Sequence, residues 1–309
     1  MLKIFEDDMK RILLMLLVNF AVLAVLSVTW NILDSMFGLS RIIEQTFGLP
    51  GHFGYVAMFS LVLGFGGSFI SLLMSKGMAK RSMGVWVIEQ PTNEDERWLV
   101  ETVHRQARQA GIGMPEVGIF ESAQPNAFAT GANKNNALVA VSTGLLHSMN
   151  RDEVEAVLGH EVSHIANGDM ITQTLLQGVL NTFVMFFARV VGFVVDRALS
   201  SNDEEESGGF GIGYFVASMI AEIFLGFLAT AIVMWYSRRR EFYADAGGAS
   251  LAGKHKMIAA LRALQHADPH DLPGELAAFG INGGLGEGLK RIFLTHPPLE
   301  ERIEALERS

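Results

Sequence analysis

Cysteine is missing from all 309 residues, which excludes disulfides, thiol nucleophiles and thiolate metal ligands together. Any metal site must then be assembled from His, Asp and Glu. Charge is scarce too: charged residues make up 18% of the chain against 50% hydrophobic residues, and the mean hydropathy is positive. That is more apolar than a water-soluble domain of this length needs, so lipid is expected to be part of its solvent. The charge present is predominantly acidic, net −9 at pH 7, with the basic residues in short clusters. A nucleic-acid-binding surface therefore has no electrostatic footing.

Four apolar runs stand out. The first, residues 12–33, carries no charge, and a helix over it extends roughly 33 Å against a hydrocarbon core of about 30 Å. Lys10 and Arg11 ahead of it resemble the start of a signal peptide, but the run is too long and lacks a small-residue cleavage site, so it reads as an uncleaved anchor. Met9 would also serve as a start, leaving Glu6 to Asp8 without a structural role. The second, residues 53–75, holds Gly64, Gly66, Gly67, Ser68 and Ser71, small surfaces suited either to close helix packing or to lipid.

The third and fourth, about 170–195 and 210–237, flank an acidic stretch with Asp203, Glu204, Glu205 and Glu206 and read as a membrane hairpin. Glu222 interrupts the fourth run, which leaves a buried soluble hairpin as the alternative; within a membrane it would pair with Arg189 or stand as a lone carboxylate. Lys3, Lys10, Arg11, Lys76, Lys80, Arg81, Arg238, Arg239 and Arg240 fall on one side of the resulting topology, and Arg41 and Arg197 on the other. The positive-inside tendency puts both termini in the cytoplasm. The expected organisation is a membrane region at 1–75, a cytoplasmic segment at 76–169, a membrane hairpin at 170–237 and a second cytoplasmic segment at 238–309.

The first cytoplasmic segment reads as mixed α and β. Asn93 and Glu96 open a helix through about Gln109, closed by Gly111 and Gly113. Glu116–Phe120 and Leu138–Ser142 read as strands joined by a turn-rich stretch from Pro125 to Asn136. Asn150 and Glu153 repeat the capping pattern before Val154, Val157, Leu158 and Ile165, an apolar stripe at helical spacing. Pro and Gly between about 268 and 288 suggest a loop, and Pro297-Pro298 the opening of a final helix.

On the helix after Asn150 lies His160-Glu161-Val162-Ser163-His164. Imidazoles four residues apart share one helical face and can grip a single zinc ion, while Glu161, about 100° around the axis, stays off the metal and free to take a proton from water. Two histidines on a solvated helix face are the bland alternative. Zinc needs a third protein ligand, and Glu241, just beyond the fourth apolar run, is the candidate, because folding the hairpin sets its helix beside that of His164. A salt bridge from Glu241 to Arg238 or Arg240 is the competing reading. Asp245, at i+4 from Glu241, is placed to orient a ligating imidazole through its free N–H.

His160 to His164 running into Ile165-Ala166-Asn167-Gly168-Asp169, followed by Arg240 to Asp245, resembles the HExxHxxNGD and ExxxD signatures of the HtpX heat-shock proteases, relatives of the CAAX prenyl endopeptidases. Pro125 to Gly131, Leu138 to Leu146, and Thr295 to Pro298 with Arg302 and Ile303 look like further segments of that family in the same order, so the resemblance covers nearly the whole chain. It implies an α+β, mostly helical, multi-pass membrane protein with a zincin-like catalytic domain, built from an HExxH helix and a downstream Glu ligand. It implies one zinc held by His160, His164 and Glu241, with Glu161 as the catalytic acid/base. It further implies stress-linked proteolytic quality control in the bacterial inner membrane, acting on protein or peptide substrates.

Four residues carry weaker assignments. Asn126 lies near an expected edge strand able to bind an extended substrate, or in an ordinary Pro-Asn turn; Asn167 and Asp169 steady the end of the active-site helix, the favoured reading, or touch the metal-binding side chains from behind; Asp245 orients an imidazole; His296 helps stabilise a tetrahedral intermediate or is a plain loop residue. The competing class is a non-enzymatic membrane adaptor closed by zinc, which has no use for an acid between the two histidines. Cleavage inside the membrane would need the metal at bilayer depth, and the surrounding Asp152, Glu153, Glu155, Asn167 and Asp169 argue against that.

Overall fold

A computed structural model describes residues 27–47, 50–199, 211–266 and 296–309. Most of the first apolar run, Lys3, Lys10, Arg11, the stretch Asp203–Glu206 and the loop expected at 268–288 lie outside the described residues. After a helical stretch at residues 27–37 the order is α1 (Leu39–Phe47), α2 (Phe53–Ser82), β1 (Trp86–Val87), α3 (Glu94–Ala110), β2 (Glu116–Phe120), β3 (Ala127–Asn133), β4 (Asn136–Ser142), α4 (Thr143–Ser148), α5 (Arg151–Asn167), α6 (Asp169–Leu199), α7 (Ile212–Ala252), α8 (Lys254–His266) and α9 (Leu299–Arg308). The chain divides into two compact units: Met1–Gly67 with Gly178–Gly226, and Ser68–Gln177 with Phe227–Ser309.

The first unit is helical. Among the described residues α2, α6 and α7 are long and apolar enough to cross a membrane. Within this unit α2 and α6 touch where Gly64 leaves no room for a side chain, since a Cβ there would lie 2.6 Å from the backbone nitrogen of Thr182. A Cβ at Gly66 or Gly67 would meet nothing within 4 Å among the described residues, so among these Gly64 is the one of the three that shows close packing. Arg189 donates to Glu222 across the hairpin at 2.9 Å, the pairing that makes two ionisable groups tolerable in an apolar setting.

The second unit carries a four-stranded sheet in the order β1-β2-β4-β3. β2 and β4 run parallel, with Val117 opposite Val139, whereas β3 runs antiparallel to β4, with Ala129 opposite Val139. The stretch from Pro125 to Asn136, expected as turns, is in fact mostly strand β3, and β4 begins two residues before Leu138. Its Ala, Gly, Thr and Asn content gives little strand signal; β3 exists because β4, buried along Ala137–Ser142, supplies the ladder that local propensity does not. That places β3 on the edge of the sheet.

Helix signals hold more closely. Asn93 caps α3, its side chain accepting from the Glu96 backbone at 2.8 Å, while the Glu96 carboxylate accepts from the backbone of Thr92 rather than that of Asn93. Asn150 and Glu153 form the full reciprocal box at the start of α5. α5 buries Val154, Leu158, Val162 and Ile165 against α3, β3, β4 and α8, which fixes its rotation about its own axis. α7 does not stop where its apolar run ends at Ser237; it continues through Arg238, Arg239 and Arg240 to Ala252. A helix of that length is about twice as long as a bilayer's hydrocarbon core, and from Phe227 onward it belongs to the second unit.

α5 and α7 approach almost backbone to backbone. A Cβ at Gly159 would lie 3.2 Å from the Gly248 carbonyl, and one at Gly247 would lie 2.7 Å from the Cβ of Ser163. Gly247→Ala is therefore expected to push the helices apart and cost about 1–3 kcal/mol of stability, an overpacking effect. Denaturation of the purified protein measures it; an unchanged midpoint would show that the contact yields without cost.

Candidate metal centre

Three side chains from these two helices converge. His160, His164 and Glu241 each offer a ligand atom, and all of these atoms lie within 4.8 Å of one another; among the described residues this is the cluster with metal-holding geometry. The two Nε2 atoms are 3.1 Å apart, with the rings nearly perpendicular at 87°. Glu241 Oε1 lies 3.3 Å from His164 Nε2, and Oε2 lies 3.6 Å from His160 Nε2.

What the imidazoles do on their other side decides what can sit between them. His160 Nδ1 is 2.9 Å from Asp245 Oδ1, and His164 Nδ1 is 2.7 Å from Asp169 Oδ2. A carboxylate only accepts, so each Nδ1 carries the hydrogen and each Nε2 presents its lone pair to the common point. With both imidazoles neutral, two lone pairs and a carboxylate oxygen face one another, an arrangement that calls for positive charge, a metal cation or in its place a proton. Glu241 Oε2 agrees with this: it is buried and, with His296 Nδ1 and Arg302 Nη1 2.7 and 3.2 Å away, receives no hydrogen bond of proper geometry among the described residues. The residues thus fit a divalent metal of the kind that takes imidazole and carboxylate together. The same demand for positive charge acts on His164: burial opposes its protonation, yet Asp169, Glu241 and the charge of Glu161 raise its pKa to about 10.

The local chain explains each placement. Gly168 adopts φ +67°, a left-handed turn that ends α5 and starts α6 at once, swinging Asp169 back over the last turn onto His164. Arg240 closes that arm, its Nε 2.5 Å from Asp169 Oδ1. Behind His160, Arg302 of α9 grips Asp245 with two bonds, Nη2 to Oδ1 at 2.6 Å and Nε to Oδ2 at 2.8 Å, in a buried pair. Burial works against the charge of Arg302, but Asp245 and Glu241 hold its pKa above the usual arginine value.

Of the residues singled out in the sequence, His160, His164, Glu241, Asp245 and His296 come together here. Glu161 is half-buried on α5 and makes no hydrogen bond or ion pair among the described residues. Asn167 is exposed and donates to Ser163 Oγ at 3.3 Å, away from the metal-facing nitrogens. Asn126 heads β3 with its backbone tied to Ser142, at 2.9 and 2.8 Å, and makes no hydrogen bond to the cluster. The pairing of Glu241 with Arg238 or Arg240, weighed from the sequence, gives way to Arg240 with Asp169. Arg302 stands out in the sequence only as part of a family-like segment; a lone arginine far along the chain from its partners carries no spacing signal.

Residues 93–309 match Peptidase family M48. The chain belongs to this family. Protease HtpX of Thioalkalivibrio sulfidiphilus (strain HL-EbGR7) is 58% identical over 299 residues, covering 96% of this chain and 98% of its own. Protease HtpX homologues of Thiobacillus denitrificans and Nitrosomonas europaea are 59% and 57% identical, covering 96% and 97% of this chain and 99% of each relative. The resemblance carried by the HExxHxxNGD and ExxxD segments therefore holds, and the chain is an M48 protease of the HtpX kind. Among solved structures, the crystal structure of S. mikatae Ste24p shares the fold with a TM-score of 0.56 at 19% identity; the match covers 94% of this chain and 66% of that one.

Removing Arg302 would leave Asp245 buried beside Glu241 without its counter-ion. Arg302→Met is expected to destabilise the protein by about 3–5 kcal/mol, with Arg302→Lys recovering part of the loss. Chemical denaturation of both variants checks this, and equal stability of the Arg302→Met variant and the native protein would remove the pair from any structural role.

Proposed function

We propose that this chain is a zinc endopeptidase of the bacterial inner membrane that hydrolyses peptide bonds of membrane or misfolded proteins at the cytoplasmic face, in proteolytic quality control. The observation that carries the reading is the convergence of two Nε2 lone pairs and a carboxylate beside an uncommitted second carboxylate, Glu161. His160, His164 and Glu241 would hold one zinc ion. Bound there, zinc supplies Lewis acidity, polarising a carbonyl oxygen and making a water easier to deprotonate.

The chain's own residues do the rest. Glu161 accepts the water's proton as general base and returns it, as general acid, to the departing amine. Its freedom from hydrogen bonds and ion pairs leaves it able to do both. Asp245 and Asp169 fix the tautomer and tilt of the imidazoles, and Arg302 and Arg240 neutralise those carboxylates from behind. His296 is exposed, with Nδ1 2.7 Å from Glu241 Oε2, and would donate from its other ring nitrogen to an oxyanion as the carbonyl becomes tetrahedral. β3 packs alongside α5 and offers its outer main-chain edge, so an extended peptide can join the sheet as a further strand, with Asn126 at its head.

Support for the membrane location comes from the three long apolar helices, and support for the cytoplasmic face from the bias of Lys and Arg. A zinc-closed adaptor would leave Glu161 without a task.

Glu161→Gln is expected to retain zinc and lose cleavage of an unfolded test protein by at least about 100-fold, since the amide keeps the volume but accepts no proton. Full activity of this variant would falsify the assigned role. Glu241→Ala is expected to lose its zinc to a chelator that leaves the native protein loaded; metal content after dialysis is the measurement, and native stoichiometry would point to another ligand.

A further inference from the structure

Beside the metal centre the second unit has an open cavity of about 300 Å³ lined by Trp235, Arg238, Arg239, Phe242, Pro297, Pro298 and Glu301. Two of its walls are continuous with the centre, since Phe242 follows Glu241 and Pro297 follows His296, and adjacent residues are about 3.8 Å apart along the chain. Its surface is largely apolar, from indole, phenyl and two proline rings. Two guanidiniums are set in it against one carboxylate, Glu301. Arg239 is exposed and lies over the Trp235 ring at 5.2 Å, and it makes no ion pair among the described residues. An exposed cation over an aromatic face, with no carboxylate of its own among the described residues, is a ready partner for an incoming anion.

We infer that this cavity is a substrate subsite that takes an acidic side chain, Asp or Glu, lying about two or three residues from the scissile bond in an extended peptide. The inference rests on the peptidase reading above and adds what the site selects. A peptide backbone that crosses the metal centre and leaves past Phe242 and Pro297 enters this cavity, where Arg239 is a positive charge with no ion pair among the described residues. The apolar walls accept the aliphatic stem of Glu, while the guanidinium edge receives its two oxygens side by side.

The same chemistry, aromatic rings and arginines where an apolar helix run ends, also suits a lipid phosphate. Continuity with Glu241 and His296 favours the peptide, because a headgroup needs no such adjacency.

The test uses the full-length, zinc-loaded protein in detergent and a set of quenched fluorescent peptides with one common core. Asp, Asn or Lys is placed in turn at each position flanking the cleaved bond. At one position kcat/KM is expected to be about 10-fold higher for Asp than for Lys, and Arg239→Glu is expected to invert that ratio. Because the ratio is taken within one variant, any loss of folded protein cancels. Equal kcat/KM for the three peptides at every position, with cleavage intact, overturns the subsite and leaves the peptidase reading standing. Absence of cleavage of any peptide, or of an unfolded protein, by the loaded native chain overturns both. A flat peptide profile with Arg239-dependent activation by dioleoylphosphatidylglycerol in mixed micelles would overturn the subsite and assign the cavity to a lipid headgroup instead.

Discussion

The centre depends on how closely two helices run. At Gly159 and Gly248 the backbones of α5 and α7 meet directly, and at Gly247 α7 leaves room only for the small side chain of Ser163; that contact brings a carboxylate from one helix among the imidazoles of the other. Imidazole and glutamate side chains are short, so a helix spacing widened by one ordinary side chain would carry Glu241 out of reach of both Nε2 atoms. A metal site assembled across two helices is thus a statement about residues that are themselves chemically inert. It also explains why α7 must outrun its apolar run: the turns that supply Glu241, Asp245 and the two glycines come after the arginine triplet.

Charge is handled in two similar arms. Arg302 holds Asp245, which holds His160; Arg240 holds Asp169, which holds His164. Each imidazole is fixed by a carboxylate, and each carboxylate is neutralised by a guanidinium, so charges that would be costly to bury singly are buried as connected sets. The arms come from different places in the chain. One runs through the turn at Gly168 into α6, and the other through the distant helix α9. With Glu241 added, carboxylates outnumber guanidiniums, and the shortfall of positive charge falls where the lone pairs converge.

The surroundings follow from the same geometry. The edge strand β3 lies along α5, the exposed His296 stands beside Glu241, and the cavity around Arg239 opens next to both His296 and Glu241. On the proposed reading, peptide main chain, oxyanion and side chain would each meet a different element within the second unit, the first beside α5 and the other two beside α7.

Much of this was legible in the residues themselves. The HExxH spacing fixes which faces the imidazoles and Glu161 occupy because helical periodicity is a local property, and capping at Asn93 and Asn150 was readable for the same reason. Strand β3 was not legible, because its weak local preference is overridden by pairing with β4. Nor was Arg302, which meets Asp245 57 positions away in the chain, or the choice of Arg240 for Asp169 over Glu241. Short-range chemistry is written in spacing, whereas partners brought together by helix crossing leave no periodic trace, and only the folded chain decides them.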